Sequence, residues 1–196
     1  MRRFFLMALL AGPTAAWAAQ GTPDWPCVQP RQDHLSLGQV WTGPPPPPDT
    51  AAAADPAIAA LADRVVQRRM PLPEAEAAIA AFASGADNAQ LAALMQAVFD
   101  RIDGQRTNLI AGISRYGNKQ ARLAAQVQAR RDRMAQLQSA ATPDFDAMDA
   151  EEKALDWDTR IFTDRQQSLT YVCETPVILE QRLFALGRAI ASHLNP

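Results

Sequence analysis

Residues 102–137 read IDGQRTNLIAGISRYGNKQARLAAQVQARRDRMAQL, and apolar side chains recur along them at steps of three and four. This spacing is typical of a long helix with one apolar face. The apolar positions are Ile102, Leu109, Ile113, Tyr116, Leu123, Val127, Met134 and Leu137. Arg106, Gln120 and Arg130 occupy the remaining places on the same face. The stretch therefore predicts a long helix that brings a few polar groups into its contact face.

A second long helix is predicted after Thr142-Pro143, a pair that ends the first helix and caps the next. Its apolar residues stand seven or fourteen apart, with a second row beside them: Met148, Leu155, Phe162, Leu169, Leu183 and Ile190, then Val172, Leu179 and Leu186. Two helices with heptad-like faces and a short turn predict an antiparallel helical hairpin at about 104–194, packed like a coiled coil. Pro176 lies inside the second helix, where we expect a kink.

Charge supports this pairing. Residues 115–133 carry six basic side chains and one acid, whereas residues 144–164 carry eight acids and two bases. An antiparallel hairpin that turns near Thr142 brings these two stretches opposite each other. Complementary flanks of this kind select the partner and orientation of a helix.

Shorter helices are predicted before the hairpin, within residues 55–103. Asp55-Pro56 is a helix cap followed by a proline suited to the first turn. Pro71 ends that helix and opens a second one. Asp87 and Gln90 stand in capping-box positions and open a third. The predicted fold is therefore all-α, with three short helices followed by the long hairpin in one helical domain, residues 55–196.

The N-terminus predicts export. Residues 1–18 contain a basic pair, an apolar run from Phe4 to Gly12, and Ala16-Trp17-Ala18, which fits a signal-peptidase site. A cleaved signal peptide places the mature chain in the periplasm, with general secretion favoured and the twin-arginine route as the alternative. The net charge of −2 argues against nucleic acid as a general partner.

Residues 19–54, called the arm below, are rich in proline and predicted to be irregular. Its five-proline run at 44–48 favours polyproline II and is interpreted as a stiff spacer, with a docking ligand for an aromatic groove as the alternative. The part before the prolines is expected to pack on the helical domain through its apolar side chains: Trp25, Leu35, Leu37, Val40 and Trp41.

Cys27 and Cys173 are the only cysteines. In an exported chain such a pair predicts a structural disulfide, and no CxxC spacing supports a redox role. The hairpin register places Gly112 and Gly117 roughly opposite Cys173, where small residues leave room for another segment. We therefore expect the arm to cross the hairpin there.

Asp24-Trp25-Pro26-Cys27, the segment 41–44 (WTGP), and the segments 168–174 (SLTYVCE) and 180–184 (EQRLF) resemble a group of uncharacterised exported helical proteins of proteobacteria. The resemblance spans most of the mature chain. It implies that Cys27 and Cys173 are linked, and it implies no activity, cofactor or binding residue.

No pattern in the sequence predicts catalysis or a resident metal. Asp144, Asp146 and Asp149 depart from the EF-hand spacing, so they are interpreted as acids of a helix's first turn. Three further acids allow a general acid and base as a minor alternative: Asp156, Asp158 and Asp164. Neither His34 nor His193 belongs to a recognisable ligand pair.

The leading functional hypothesis is a non-enzymatic periplasmic interaction protein, an adaptor or assembly factor, that binds no cofactor. The candidate interaction residues are Trp25, Trp41, Trp157, Tyr171 and Pro176. A periplasmic holdase and a small-ligand carrier with a pocket near Pro176 are the alternatives. An unpaired heptad face also permits self-association.

Overall fold

The computed structural model describes residues 25–46 and 55–195. It contains five helices and no β-strand over these ranges, which confirms the all-α prediction: α1 Leu37–Val40, α2 Pro56–Val65, α3 Leu72–Ala83, α4 Asn88–Ser139 and α5 Phe145–Ala191. The predicted signal peptide, residues 1–18, and part of the proline run, residues 47 and 48, lie outside the described residues.

Helices α4 and α5 form the antiparallel hairpin, joined by residues 140–144. At about 1.5 Å per residue, α4 is ~80 Å long and α5 is ~70 Å long. The cap of α5 is Asp144 rather than Thr142-Pro143, because the Asp144 carboxylate accepts a 3.0 Å hydrogen bond from the amide of Ala147. Helix α5 continues through Pro176.

One predicted boundary is wrong: no third short helix ends near residue 104. Helix α4 runs without interruption from its capping box, in which the Gln90 amide donates to Asp87 Oδ1 at 2.8 Å, to Ser139. Gly104 is the residue in this stretch that weakens a helix most, and it is exposed. A glycine costs a helix about 1 kcal/mol relative to alanine. This cost is too small to end α4, which packs against other elements both before and after Gly104.

The main core lies at the base of the hairpin, defined here as residues 88–110 of α4 and 173–191 of α5. Helix α2 packs on α4, and α3 packs on α5. The core consists of apolar side chains that these four helices bury completely, among them Ile58, Val65, Ile79, Leu94, Met95, Ile102, Leu183, Leu186 and Ile190. The predicted apolar faces of α4 and α5 are therefore confirmed in this half of the hairpin.

Hydrogen bonds also hold the base together. Arg182 of α5 donates from Nε and Nη2 to the carbonyl oxygen of Val65, at 2.9 and 2.6 Å, and so caps the end of α2. Partial burial at this position lowers the pKa of Arg182. At the other end of the bundle, the side chain of Asn88 exchanges two hydrogen bonds with the backbone of Asn195.

The arm packs on the base, as predicted. Val40 and Trp41 are buried in the main core, and Leu35 and Leu37 pack against it. The arm also contains α1, a single helical turn that the sequence analysis did not predict. Helix α1 lies so close to α5 that a Cβ on Gly187 would approach the carbonyl oxygen of Val40 to 2.7 Å.

The distal part of the hairpin, residues 111–139 with 145–172, consists of α4 and α5, and the arm contacts it at the border with the base, where Cys27 packs with Ile113 and Leu169. Polar contacts contribute to this pairing: Gln120 donates to the carbonyl of Phe162 at 3.3 Å, and the Tyr116 hydroxyl donates to that of Arg165 at 3.2 Å. These pairs agree with the predicted antiparallel register.

The predicted charge pairing is also present in the distal part. Arg130 contacts Asp158 through Nε and Glu151 through Nη1, the latter at 3.0 Å. The hydrogen bonds that the Arg130 guanidinium donates, first to Asp158 and second to Glu151, raise its pKa. The basic side of α4 therefore faces the acidic side of α5.

Candidate functional site

The disulfide joins the arm to the hairpin at the border between base and distal part. Cys27 and Cys173 are buried and linked, with their Cα atoms 5.5 Å apart. Ile113 of α4 and Leu169 of α5 are buried with them. The prediction that the arm crosses the hairpin at Cys173 is confirmed.

Beyond the disulfide, the arm follows α4 through side chains that bind its backbone. Arg106 donates from Nη1 to the carbonyl of Gln32, and the Thr107 hydroxyl donates to that of Asp33 at 2.8 Å. Asp103 accepts a 2.8 Å hydrogen bond from the amide of Leu35. Three side chains within about one turn of α4 therefore hold the arm in place.

Three of the five candidate interaction residues lie where the arm packs. Trp25 is half-buried beside the disulfide, and its Nε1 donates to the carbonyl of Gln29. Trp41 is only 6% exposed, and its Nε1 donates to the carbonyl of Pro44 at 2.8 Å. Pro176 is buried at the inner side of α5. Trp41 and Pro176 are therefore buried where the arm packs, and neither is part of an exposed surface.

The other two candidates stand in solvent on α5. Trp157 is 64% exposed and Tyr171 is 76% exposed. Ile178, 43% exposed, lies one heptad after Tyr171. Because residues seven apart return to nearly the same side of a helix, these three side chains form a row, here called the α5 row. Asp164 occupies the heptad position between Trp157 and Tyr171.

The sequence analysis missed Ile178 as a member of this row. The seven-residue step from Tyr171 to Ile178 was visible in the sequence. However, α5 also carries apolar residues on its inner side at the same spacing, and the sequence cannot separate the two rows without knowing which side α4 covers.

The acidic residues considered for catalysis or calcium have structural partners or lie apart. Asp158 is buried and accepts hydrogen bonds from Arg130 and, at 2.7 Å, from Gln126. Asp149 pairs with Lys153 one turn away. Asp156 and Asp164 are exposed on α5. In the part of the chain that the structure describes, no group of three His, Cys, Asp or Glu side chains is arranged to hold a metal ion.

The two histidines lie in different parts of the molecule. His34 Nδ1 lies 2.9 Å from Asp103 Oδ2, where the arm meets α4. His193 follows the last turn of α5 rather than lying within it, and it borders an open groove between α3 and α5 with Glu76 and Arg188.

None of the helices in the described ranges is both long enough and apolar enough to cross a membrane.

Comparison with known proteins identifies no relative of this chain. No protein-family model, no curated protein and no solved structure matches the chain.

Proposed function

We propose that the chain is a non-enzymatic interaction protein of the periplasm, an adaptor or assembly factor, whose α5 row binds an α-helix of a partner protein. The observation that carries this proposal is the exposure of Trp157, Tyr171 and Ile178 on one side of a helix whose other side is packed. The exported location follows from the predicted signal peptide and is compatible with the disulfide.

The composition of the row suits protein recognition. Tryptophan and tyrosine are the residues most enriched at the energetic centres of protein interfaces. Each combines a large apolar surface with a polar group that keeps the free surface compatible with water. A partner that covers this row removes the apolar surface of three large side chains from water, which lowers the free energy of the complex.

The spacing of the row favours a helical partner. Trp157 and Ile178 are about 32 Å apart along α5 at ~1.5 Å per residue, a length of about six turns. Side chains at seven-residue steps insert between the side chains of a second helix that has the same step. Asp164 and its neighbour Arg160 lie among the apolar residues, and charges of both signs there restrict the register of a partner.

The α5 row is also presented on a rigid support. Helix α4 backs α5 along its length, and the disulfide at Cys173 fixes the helix two residues from Tyr171. A surface that is already ordered loses less conformational entropy on binding. A narrow row on a rigid helix favours one helical partner over the many unfolded clients of a holdase.

The test is site-specific photocrosslinking in the native cell envelope. A photoreactive residue is placed at Ser168, which lies beside the row, and at exposed Ala81 of α3 as a control position. We expect one discrete adduct from position 168 and none of the same mass from position 81. Mass spectrometry of the adduct should find a helical segment with apolar residues seven apart.

Three matched variants decide whether the row is responsible. Trp157→Ala and Tyr171→Ala should each abolish the adduct, whereas Phe145→Ala should retain it, because Phe145 is equally exposed on α5 but about 120° around the helix from Trp157. An adduct between two copies would make the protein a self-assembling one rather than an adaptor. A broad mixture of adducts would support the holdase, and an adduct that survives both row variants would overturn the proposal.

A further inference from the structure

A cavity of about 250 Å³ lies where the arm crosses between α4 and α5. Its apolar walls are Trp25 of the arm, Ile110 of α4, and Pro176 and Val177 of α5. This volume exceeds the roughly 150 Å³ that holds a benzene molecule and approaches the lower limit of ordinary ligand pockets. The cavity is independent of the α5 row, which lies on the outer side of the helix.

Arg106 is a charged side chain in the lining of this cavity. The residue is 5% exposed, and its Nη1 donates to the backbone carbonyl of Gln32. Its Nε, also buried, has no hydrogen-bond partner among the residues that the structure describes. Buried donors are nearly always paired in folded proteins, so an unpaired guanidinium nitrogen beside a cavity indicates a place for an acceptor.

Glu180 is the second charged residue of the cavity. Its Oε2 lies 4.0 Å from Arg106 Nε, too far for a hydrogen bond. The side chain of Glu180 is 35% exposed, whereas that of Arg106 is 6% exposed. The cation is therefore the deeper of the two groups, and the carboxylate lies nearer to solvent.

These two charges restrict the class of ligand. A simple anion is attracted by Arg106 but repelled by Glu180, and a simple cation experiences the opposite. A molecule with a carboxylate and an ammonium group on adjacent atoms satisfies both residues, since a carboxylate accepts from a guanidinium and an ammonium donates to a carboxylate. The remaining lining combines apolar side chains, which suit a hydrocarbon group, with Gln29 and Gln32 of the arm.

We propose that this cavity binds a free α-amino acid with a small apolar side chain. The ligand's carboxylate pairs with Arg106, its ammonium group pairs with Glu180, and its side chain packs against Trp25, Ile110 and Val177. Because Trp25 lies two residues from Cys27, the disulfide holds one wall of the cavity in place.

The test is thermal stabilisation and calorimetry on the oxidised mature protein. The probes are L-valine, L-leucine and L-methionine, together with two analogues of leucine that each lack one charge: 4-methylpentanoate and 3-methylbutylamine. We expect saturable binding by at least one of the amino acids. Each leucine analogue should bind at least about tenfold more weakly than leucine, because the amine leaves the buried Arg106 without an acceptor and the carboxylate alone is repelled by Glu180.

The conservative variant Glu180→Gln tests the role of the carboxylate. The substitution keeps the size of this partly exposed side chain and one acceptor oxygen, and it removes the negative charge. The variant should weaken leucine binding at least about tenfold and reverse the preference between leucine and 4-methylpentanoate, because it removes the repulsion of an anion. Glu174→Gln, an exposed glutamate of α5 outside this cavity, should change neither.

The outcomes are distinguishable. Absence of saturable binding by all three amino acids would overturn the proposal, as would equal binding of leucine and both analogues. An unchanged preference in Glu180→Gln would also overturn it, even if some binding were present. Reduction of the disulfide should weaken leucine binding, because it releases the segment that carries Trp25 from α5.

Discussion

The base and the distal part of the hairpin are made from the same two helices, yet they are stabilised differently. In the base, α2, α3 and the arm cover α4 and α5, and the contact faces are almost entirely apolar. In the distal part each helix has mainly the other as a neighbour, with the arm added at the border, and the few buried side chains include both apolar and polar residues: Ile113, Val127 and Leu169, then Gln120 and Asp158. A pair of helices alone cannot enclose a continuous core, so specific polar contacts contribute more to its register.

The two functional proposals follow this difference. The cavity lies at the border, where a third segment crosses the two helices and encloses space between them. The α5 row begins in the distal part, where no other element covers the outer side of α5. Enclosure favours a small ligand, and an uncovered helix favours a protein partner.

The largest expected effect comes from the disulfide at the border. Replacing both Cys27 and Cys173 by serine frees a loop that spans 146 residues. The chain-entropy model predicts a loss of about 5 kcal/mol of unfolding free energy for a loop of this size. Urea denaturation of the oxidised protein and the double variant measures the loss. A difference below about 1 kcal/mol would show that the arm is held mainly by its non-covalent contacts.

A smaller effect separates the base from the distal part directly. Leu183→Ala in the base should reduce the unfolding free energy by about 3 kcal/mol, because this fully buried side chain leaves a cavity. Val127→Ala in the distal part should cost about 1.5 kcal/mol, since it removes two buried methylene equivalents. The two values come from chemical denaturation, and equal losses would contradict the description of the base as the principal core.

The polar contacts of the distal part predict a local effect. Asp158→Ala leaves Arg130 and Gln126 without their shared acceptor inside the hairpin. We expect faster amide hydrogen exchange at residues 124–134 and 151–162, with the base unchanged. Asp156→Ala, which removes an exposed carboxylate two residues away, is the control and should leave exchange as it is. Uniform acceleration over the whole chain would mean that the two parts unfold together.

The smallest effect concerns acid and lies in the base. A hydrogen bond from Arg101 holds the pKa of Asp63 below its usual value. Folding therefore favours the charged carboxylate, and this stabilising contribution is present above about pH 4 and is lost as the pH falls through the lowered pKa. Asp63→Asn should destabilise the protein slightly at pH 7 and by less at pH 3. Because Asp63 is mostly exposed, the difference at pH 7 should be small, and a larger difference at pH 3 would contradict the sign.

The ends of the helices were predictable where they depend on a capping side chain or a proline within a few residues. Asp55 and Asp87 cap the helices that the sequence analysis assigned to them. Pro71 lies directly before α3, as predicted. By contrast, the predicted division between a third short helix and the hairpin near residue 104 is wrong, because α4 continues to Ser139 and the exposed Gly104 does not interrupt it.

The candidate site was predictable only in part. The burial of Trp41 agrees with the expectation that the arm packs on the helical domain, whereas the exposure of Trp157 cannot be read from its sequence neighbours. Whether a side chain of α5 is covered depends on where α4 and the arm lie. Arg106 was placed on the contact face of α4 by its spacing, but the missing partner of its Nε depends on the position of Glu180, 74 residues away.

The all-α class and the antiparallel register follow from the apolar periodicity and the charge pattern, because the geometry of a helix is regular. The pairing of Cys27 with Cys173 follows from the cysteine count, because the chain contains two cysteines. The path of the arm, the cavity beneath it and the free side of α5 follow from the packing of segments distant in sequence. Burial depends on which surfaces meet, and that choice is a property of the whole folded chain rather than of any one segment.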